Sequence, residues 1–202
     1  MPTRAKKIIM LYGYPLSGKS TAASKIEEYL AKSGTAAEII SSAKIRLRGK
    51  HHSGSKRFVD EEDKRTKLVK DKAYKELCSL AQRCLRRGVI PILDATFHKY
   101  CRRKWVYTLA KKEKAEVYVV WTVFSNEKAI RKLLMKRRLA NKRVMLHNWQ
   151  QYATMASQTE KLDIFELSKN FIIRFDRQKN TALILKGSAD SFAKLLREAI
   201  KS

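Results

Sequence analysis

Gly13-Tyr14-Pro15-Leu16-Ser17-Gly18-Lys19-Ser20 decides how this chain is read, because the apolar run Lys7-Ile8-Ile9-Met10-Leu11-Tyr12 leads into it and a helical pattern, Ala23, Ile26 and Leu30, leads out. In the spacing Gly-x-x-x-x-Gly-Lys-Ser the backbone amides turn inward as a nest for phosphate oxygens. Lys19 adds a positive charge, Ser20 a hydroxyl that can ligate Mg2+, and the helix starting at about Lys19 the positive end of its dipole. Strand, loop and helix in that order are the context such a loop requires, which sets it apart from a coincidental glycine turn. Residues Gly13 to Thr21 are therefore the candidate nucleotide-binding set, the nucleotide being ATP or GTP.

Outward from the loop, strand-like and helix-like segments alternate. Ala36 to Ser41 reads as a second strand, and the polar stretch after it, to about Asp60, lacks periodicity and reads as a mobile loop. Asp60 to Asp63 place acids where a helix dipole favours them, and Val69, Ala73, Leu77, Leu80, Ala81 and Cys84 mark one face of a long helix that Gly88 stops. Val89 to Leu93 is a third strand, in which Pro91 lacks an amide donor and fits best near the strand start. A helix at about Tyr100 to Lys112, a strand at Val117 to Phe124, helices near Glu127 to Ala140 and Leu146 to Lys161, a strand at Phe171 to Phe175, a further strand at Thr181 to Lys186 and a final helix complete the chain. The alternation predicts an α/β fold, a parallel sheet covered by helices on both faces. No Pro/Gly/Ser-rich stretch divides it, so residues 1–202 are expected to form a single domain.

Asp94 ends the third strand, where open α/β sheets gather their ligands. It can hold water on Mg2+ or contact an acceptor hydroxyl, or it can simply cap the Asp94-Ala95-Thr96 turn; Thr96 is a further candidate for substrate contact. Arg137, Arg138 and Arg143 lie on and just after a helix where a lid over about residues 131–145 would close cations over developing charge; a solvated basic face is the alternative. Tyr14 and Phe97 flank the two loops and either stack on a base or pack locally. His51 and His52 read as loop residues, and the four histidines have no companions at zinc spacing.

The sequence holds 45 Lys and Arg against 19 Asp and Glu, a net charge of +26 that exceeds what solubility needs. Basic residues spread over solvated faces would account for part of it, but many are clustered. Lys44, Arg46, Arg48, Lys50, Lys56 and Arg57 form one run, Lys99, Arg102, Arg103 and Lys104 a second, and Arg131 to Arg143 a third. A nucleic-acid partner is expected, RNA favoured. The apolar runs are strand-sized and Met1 to Lys7 lead straight into a strand, so an intracellular, cytoplasmic protein with no membrane association is expected. Cys78, Cys84 and Cys101 are odd in number, lack metal-ligand spacing and read as buried, reduced thiols.

The glycine loop, the strand end Ile92-Leu93-Asp94-Ala95-Thr96-Phe97 and the Arg-rich helix together resemble the P-loop kinases that include polynucleotide 5′-hydroxyl kinases, seryl-tRNA kinases and zeta-toxin-like kinases, over roughly Lys6 to Lys161. The resemblance implies a P-loop NTPase fold with a helical lid. It also implies transfer of a γ-phosphoryl to a hydroxyl of RNA or another polynucleotide, with Lys19, Asp94 and the three arginines in catalysis and Ser20 and Asp94 at Mg2+. In that group the second strand leads to Asp-x-x-Arg, whose Asp accepts the attacking hydroxyl's proton. Here the stretch reads Ser41-Ser42-Ala43-Lys44-Ile45-Arg46, so Ser42, Ala43 and Arg46 fall at the acceptor, Arg46 fits, and alanine stands where the base belongs. Three accounts stay open: an Asp→Ala replacement, a natural member using Asp94 or another base, and a nucleotide-binding relative that performs no transfer. A small-molecule or aminoacyl-tRNA kinase is the alternative acceptor reading.

Overall fold

The computed structural model describes residues 5–48, 64–124, 126–139 and 148–201. Strand β1 (Lys6–Tyr12) is followed by helix α1 (Lys19–Lys32), β2 (Ala37–Ser41), α2 (Ser42–Arg48), α3 (Lys64–Arg86), β3 (Ile90–Asp94), α4 (Tyr100–Glu113) and β4 (Ala115–Val123). Then come α5 (Glu127–Leu139), α6 (Trp149–Ser157), α7 (Ile164–Lys169), β5 (Phe171–Asp176), β6 (Thr181–Lys186) and α8 (Ser191–Lys201). The strands form a six-stranded sheet in the order β2-β3-β1-β4-β5-β6. The first five run parallel and β6 pairs antiparallel to β5, so the expected parallel sheet carries one antiparallel edge.

Placing β1 between β3 and β4 explains its unbroken apolar sequence, since side chains alternate across a strand and both faces here are covered. Ile8, Met10 and Tyr12 face α3 and α4 through Tyr74, Leu77, Ala81 and Val106. Ile9 and Leu11 face α1 and α8 through Ala22, Ile26, Leu30, Phe192 and Leu196. Pro91 is accommodated because it lies opposite Glu38 of β2, one residue before the registered β1 pairing at Ile9–Ile92 and Met10–Leu93.

Four features depart from the sequence reading. Ser42 to Arg48 are helical rather than loop, the helix starting directly from the end of β2. The rest of the expected loop, with His51 and His52, and the acids Asp60 to Asp63 lie outside the described residues. The helix expected from Leu146 to Lys161 is the shorter α6, capped by Asn148, whose side chain accepts from the Gln151 amide. It ends because the next segment serves α4 instead: Glu160 N donates to His98 O at 2.8 Å, and Arg103 donates to the carbonyls of Glu160 and Lys161. The missed helix α7 opens with a reciprocal capping box, Asp163 with Glu166. Cys84 is buried and Cys78 partly so, with burial pushing the Cys78 thiol up to about 12, whereas Cys101 is exposed.

A buried ion pair anchors this region. Arg103 donates to both Glu166 oxygens, at 2.6 and 2.9 Å, and Tyr107 donates to Glu166 at 2.6 Å. Burial, then the bond to Glu166, raises the Tyr107 phenol, so it stays a donor. Glu166→Ala would leave the guanidinium buried without its counter-ion. A loss of about 3 kcal/mol in urea-unfolding stability is expected, with Glu166→Gln costing less because it keeps acceptor capacity.

Candidate active site

The loop between β1 and α1 is fixed from both neighbouring strands. On the β4 side, Ser17 Oγ and Thr122 Oγ1 share a 2.6 Å hydrogen bond. On the β3 side, Gly13 N donates to Thr96 O at 3.4 Å and Ser20 Oγ to Asp94 Oδ2 at 2.9 Å. The Lys19 ammonium is buried and folds over the loop, donating to Gly13 O at 3.1 Å and Tyr14 O at 2.6 Å. Gly18, at φ +94°, precedes α1, so the first amides of that helix open onto the concave side of the loop. Thr21 is exposed in the first helical turn, and Pro15 is buried within the loop.

Leu16 links the loop to the region expected to be the lid. At φ +67° it packs with Ile130 and Leu134 of α5 and Tyr152 and Met155 of α6. Arg131 of α5 lies 3.9 Å from the Trp149 ring centroid and pairs with Glu127. Arg137 and Arg138 fall towards the end of α5 with side chains outside the described set, and Arg143 lies outside the described residues.

Beyond Asp94, the β3–α4 turn forms an ordered polar chain. Phe97 N donates to Tyr74 OH at 3.2 Å, Tyr74 OH lies 3.2 Å from Thr96 Oγ1, and Thr96 Oγ1 lies 2.9 Å from His98 Nδ1. Phe97, at φ +49°, is fully buried against Tyr74, so it cannot stack on a bound base, while Tyr14 is exposed enough to do so. At the start of α2, Ser42 Oγ lies 3.5 Å from Asp94 O, Ala43 is exposed, and Arg46 borders the pocket lined by Tyr74, Thr96 and His98. Asp94, Thr96, Ser42 and Arg46 are thus brought together beside Ser20. Ser20 and Asp94 give hydroxyl and carboxylate oxygens, hard donors that suit Mg2+, an ion that keeps most of its shell for water and phosphate.

Two of the expected cations belong elsewhere. Arg102 is bound to Asp71 and Arg103 to Glu166, so neither contributes to a basic surface. Two loop supports escaped the sequence reading. Thr122 backs Gly13 and Ser17, and Arg177 donates to Leu16 O at 3.1 Å with its side chain over Gly18. They lie 105 and 161 residues from their partners, so no local pattern marks them.

A phosphate-type loop at the end of the central strand, with Lys19 and Ser20 opening the helix and Asp94 on the adjacent strand, defines a P-loop α/β domain. A sequence model of the AAA domain family matches residues 8–159, and the chain belongs to that family. No curated protein matches it in sequence. Among solved structures it is similar to the Mycobacterium tuberculosis APS kinase CysC in complex with AMPPNP and APS, at 14% identity over 99% of this chain and 100% of that one, TM-score 0.61. It is also similar to Chaetomium thermophilum Kti12 in complex with ADP-AlF3, at 19% identity over 96% and 95% of the two chains, TM-score 0.63. A structure of the PezAT toxin-antitoxin system of Streptococcus pneumoniae matches at 18% identity over 98% and 80%, TM-score 0.61. At these identities the likeness is one of fold.

The two loop glycines should differ in tolerance. A Cβ on Gly13, at φ +149°, would stand 2.3 Å from Thr122 O, a backbone atom of the sheet. A Cβ on Gly18 would meet the Cδ of Arg177 at 2.7 Å, and that side chain can swing away. Gly13→Ala is expected to cost at least about 2 kcal/mol and Gly18→Ala about 1 kcal/mol in urea unfolding.

Proposed function

We propose that this protein transfers the γ-phosphoryl of ATP or GTP to a hydroxyl group. The nucleotide phosphates would lie on Gly13 to Thr21, and the acceptor would enter between Arg46, Asp94 and an arginine lid formed by Arg137, Arg138 and Arg143. The observation that carries this reading is the Ser20–Asp94 hydrogen bond beside the Lys19-closed loop. It puts the two oxygen donors suited to Mg2+ next to the amides and ammonium suited to phosphate. Ser20 and Asp94 would hold Mg2+, which would neutralise phosphate charge there. The loop amides orient the triphosphate, Lys19 lends charge to the transferred group, and Arg46 positions the acceptor.

For the acceptor we favour a hydroxyl of RNA or another polynucleotide, on the +26 net charge. The resemblance to polynucleotide 5′-hydroxyl kinases points the same way. Withdrawal of Arg102 and Arg103 into ion pairs favours the alternative of a small-molecule or aminoacyl-tRNA acceptor. Ala43 favours a third reading, a nucleotide-dependent nucleic-acid-binding protein without transfer. Phosphoryl transfer depends mainly on positioning and charge, so a chain without the usual base retains turnover, with Asp94 a carboxylate at the site.

Transfer of label from γ-labelled ATP to 5′-hydroxyl RNA is the test, run on the unaltered chain, Lys19→Ala, Ser20→Ala and Ala43→Asp. Lys19→Ala and Ser20→Ala are expected to weaken ATP·Mg2+ binding; unchanged affinity in both would sink the loop assignment. Position 43 is exposed, so an aspartate needs no repacking there, and Ala43→Asp is expected to raise transfer about a hundredfold. Label that stays in nucleotide or free phosphate even with Ala43→Asp leaves binding without transfer. RNA affinity that does not fall steeply with salt would remove the polynucleotide acceptor.

A further inference from the structure

Three cross-links show that α3 and α4 run side by side in the same direction on one face of the sheet. Arg102 pairs with Asp71 at 3.0 Å, the Lys75 ammonium lies 5.7 Å from the Trp105 ring centroid, and Gln82 donates to Glu113 at 2.7 Å. Residue numbers rise together on both helices, so a seam follows them from Asp71 to Gln82, roughly 16 Å at about 1.5 Å per residue. Its head is the cationic pocket lined by Arg46, Lys70 and Arg102 together with Ser42, which touches Asp94. Arg102 belongs to both pocket and seam, and the seam therefore leads away from the candidate transfer site.

The outer surface of this helix pair is cationic. Lys72, Lys75 and Arg83 of α3 and Lys104, Lys111 and Lys112 of α4 are exposed, and among the described residues none of the six is in an ion pair with an acid. Asp71 is taken by Arg102 and Glu113 by Lys6 and Arg86, which leaves Glu76 as the one exposed acid among the described residues of the two helices. On the opposite face of the sheet, charges of α1 and α8 are answered locally: Lys32 pairs with Glu28, and Arg197 and Lys201 pair with Glu198. The positive excess is thus concentrated on one face, where its potential draws a polyanion.

A polynucleotide suits this surface better than an isolated anion, because its charges repeat along a line as the cations do. Trp105 is half-buried midway along the seam with the Lys75 ammonium over its ring, and an indole among lysines gives a base something to stack on. We propose that the α3–α4 seam carries the acceptor strand beyond the nucleotide being phosphorylated, as single-stranded RNA lying along Lys75, Lys104 and Lys112 with its accepting end at Asp94. The proposal rests on the polynucleotide-acceptor reading and adds the path that the strand takes. Affinity then grows with strand length, as more phosphates reach the seam.

Fluorescence anisotropy with labelled 5′-hydroxyl RNAs, a tetranucleotide and a strand about five times longer, tests this with AMPPNP and Mg2+ present, so that no phosphoryl group moves. One variant carries Lys75→Glu, Lys104→Glu and Lys112→Glu. A control carries Lys32→Glu, Lys194→Glu and Lys201→Glu, which lowers the net charge equally but on α1 and α8. The unaltered chain is expected to bind the longer strand about tenfold more tightly than the tetranucleotide. The seam variant is expected to lose about a hundredfold on the longer strand and about 2 in the slope of log K against log salt, at about 0.7 per phosphate contact. The control is expected to stay within about threefold. Equal losses in the two variants overturn the proposal, and so does displacement of RNA by polyglutamate at equal charge, which would make the partner an acidic polypeptide. Should the seam variant fail to fold, the same lysines changed to glutamine, in both sets, give the same comparison. RNA binding that survives intact in the seam variant sinks the seam alone; no RNA binding by the unaltered chain sinks the polynucleotide acceptor with it.

Discussion

Gly13 is held at φ +149° with the Thr122 carbonyl where its side chain would be, and the rest of the site depends on that close approach. Because β4 passes this near the end of β1, the chain can leave the sheet only through a residue without a Cβ. The loop that follows is then tied to β4 through Ser17 and Thr122 and to β3 through Ser20 and Asp94. β1 can bring the loop between those strands because it is internal, with Ile8 and Met10 packed to one side and Ile9 and Leu11 to the other. Core packing and phosphate-site geometry are thus one construction, in which loosening the β1–β4 contact displaces Lys19 from its carbonyl partners.

The distribution of positive charge alters what the +26 balance means. A cation contributes to polyanion attraction only if its field reaches solvent. Arg103 spends its donors on Glu166 and on the carbonyls of Phe97, Glu160 and Lys161, pinning the chain between α6 and α7 against α4. Arg102 faces Asp71 and the pocket. Within one short basic run, then, two residues are taken up in ion pairs while Lys99 and Lys104 remain nearer solvent. Sequence clustering marks where charge is dense without telling which charges are buried.

Fold and loop were legible in the sequence because their signals are local. β1, the glycine loop and α1 follow one another within twenty-seven residues, Lys6 to Lys32, and apolar periodicity changes from strand to helix across the loop. Asp94 was legible for the same reason, standing at the end of an apolar run. The supports were not: Thr122 and Arg177 reach the loop only after the sheet is assembled. α2 was missed because Lys44, Arg46 and Arg48 read as a polar loop, although Ile45 is buried beneath them. α7 was missed because a six-residue helix offers little periodicity, and its Asp163-x-x-Glu166 box was the one available sign. Phe97 was ambiguous between rim and core, a choice settled by packing against Tyr74 that no local pattern encodes.

Ala43 and the cationic pocket bear on each other through α2. Residues 42, 43 and 46 lie within one turn and the next, so the helix that starts at β2 presents Ser42 towards Asp94 and Arg46 towards the pocket while Ala43 stays at its exposed start. An aspartate at position 43 would put a carboxylate near Arg46, drawing that guanidinium towards itself and competing with any anion for it. An alanine puts no such carboxylate beside Arg46, which borders the pocket lined by Tyr74, Thr96 and His98. The residue that removes the usual proton acceptor therefore also removes a negative charge from the neighbourhood of Arg46. Position 43 thus sets proton acceptance and local charge together, at the start of the helix that follows β2.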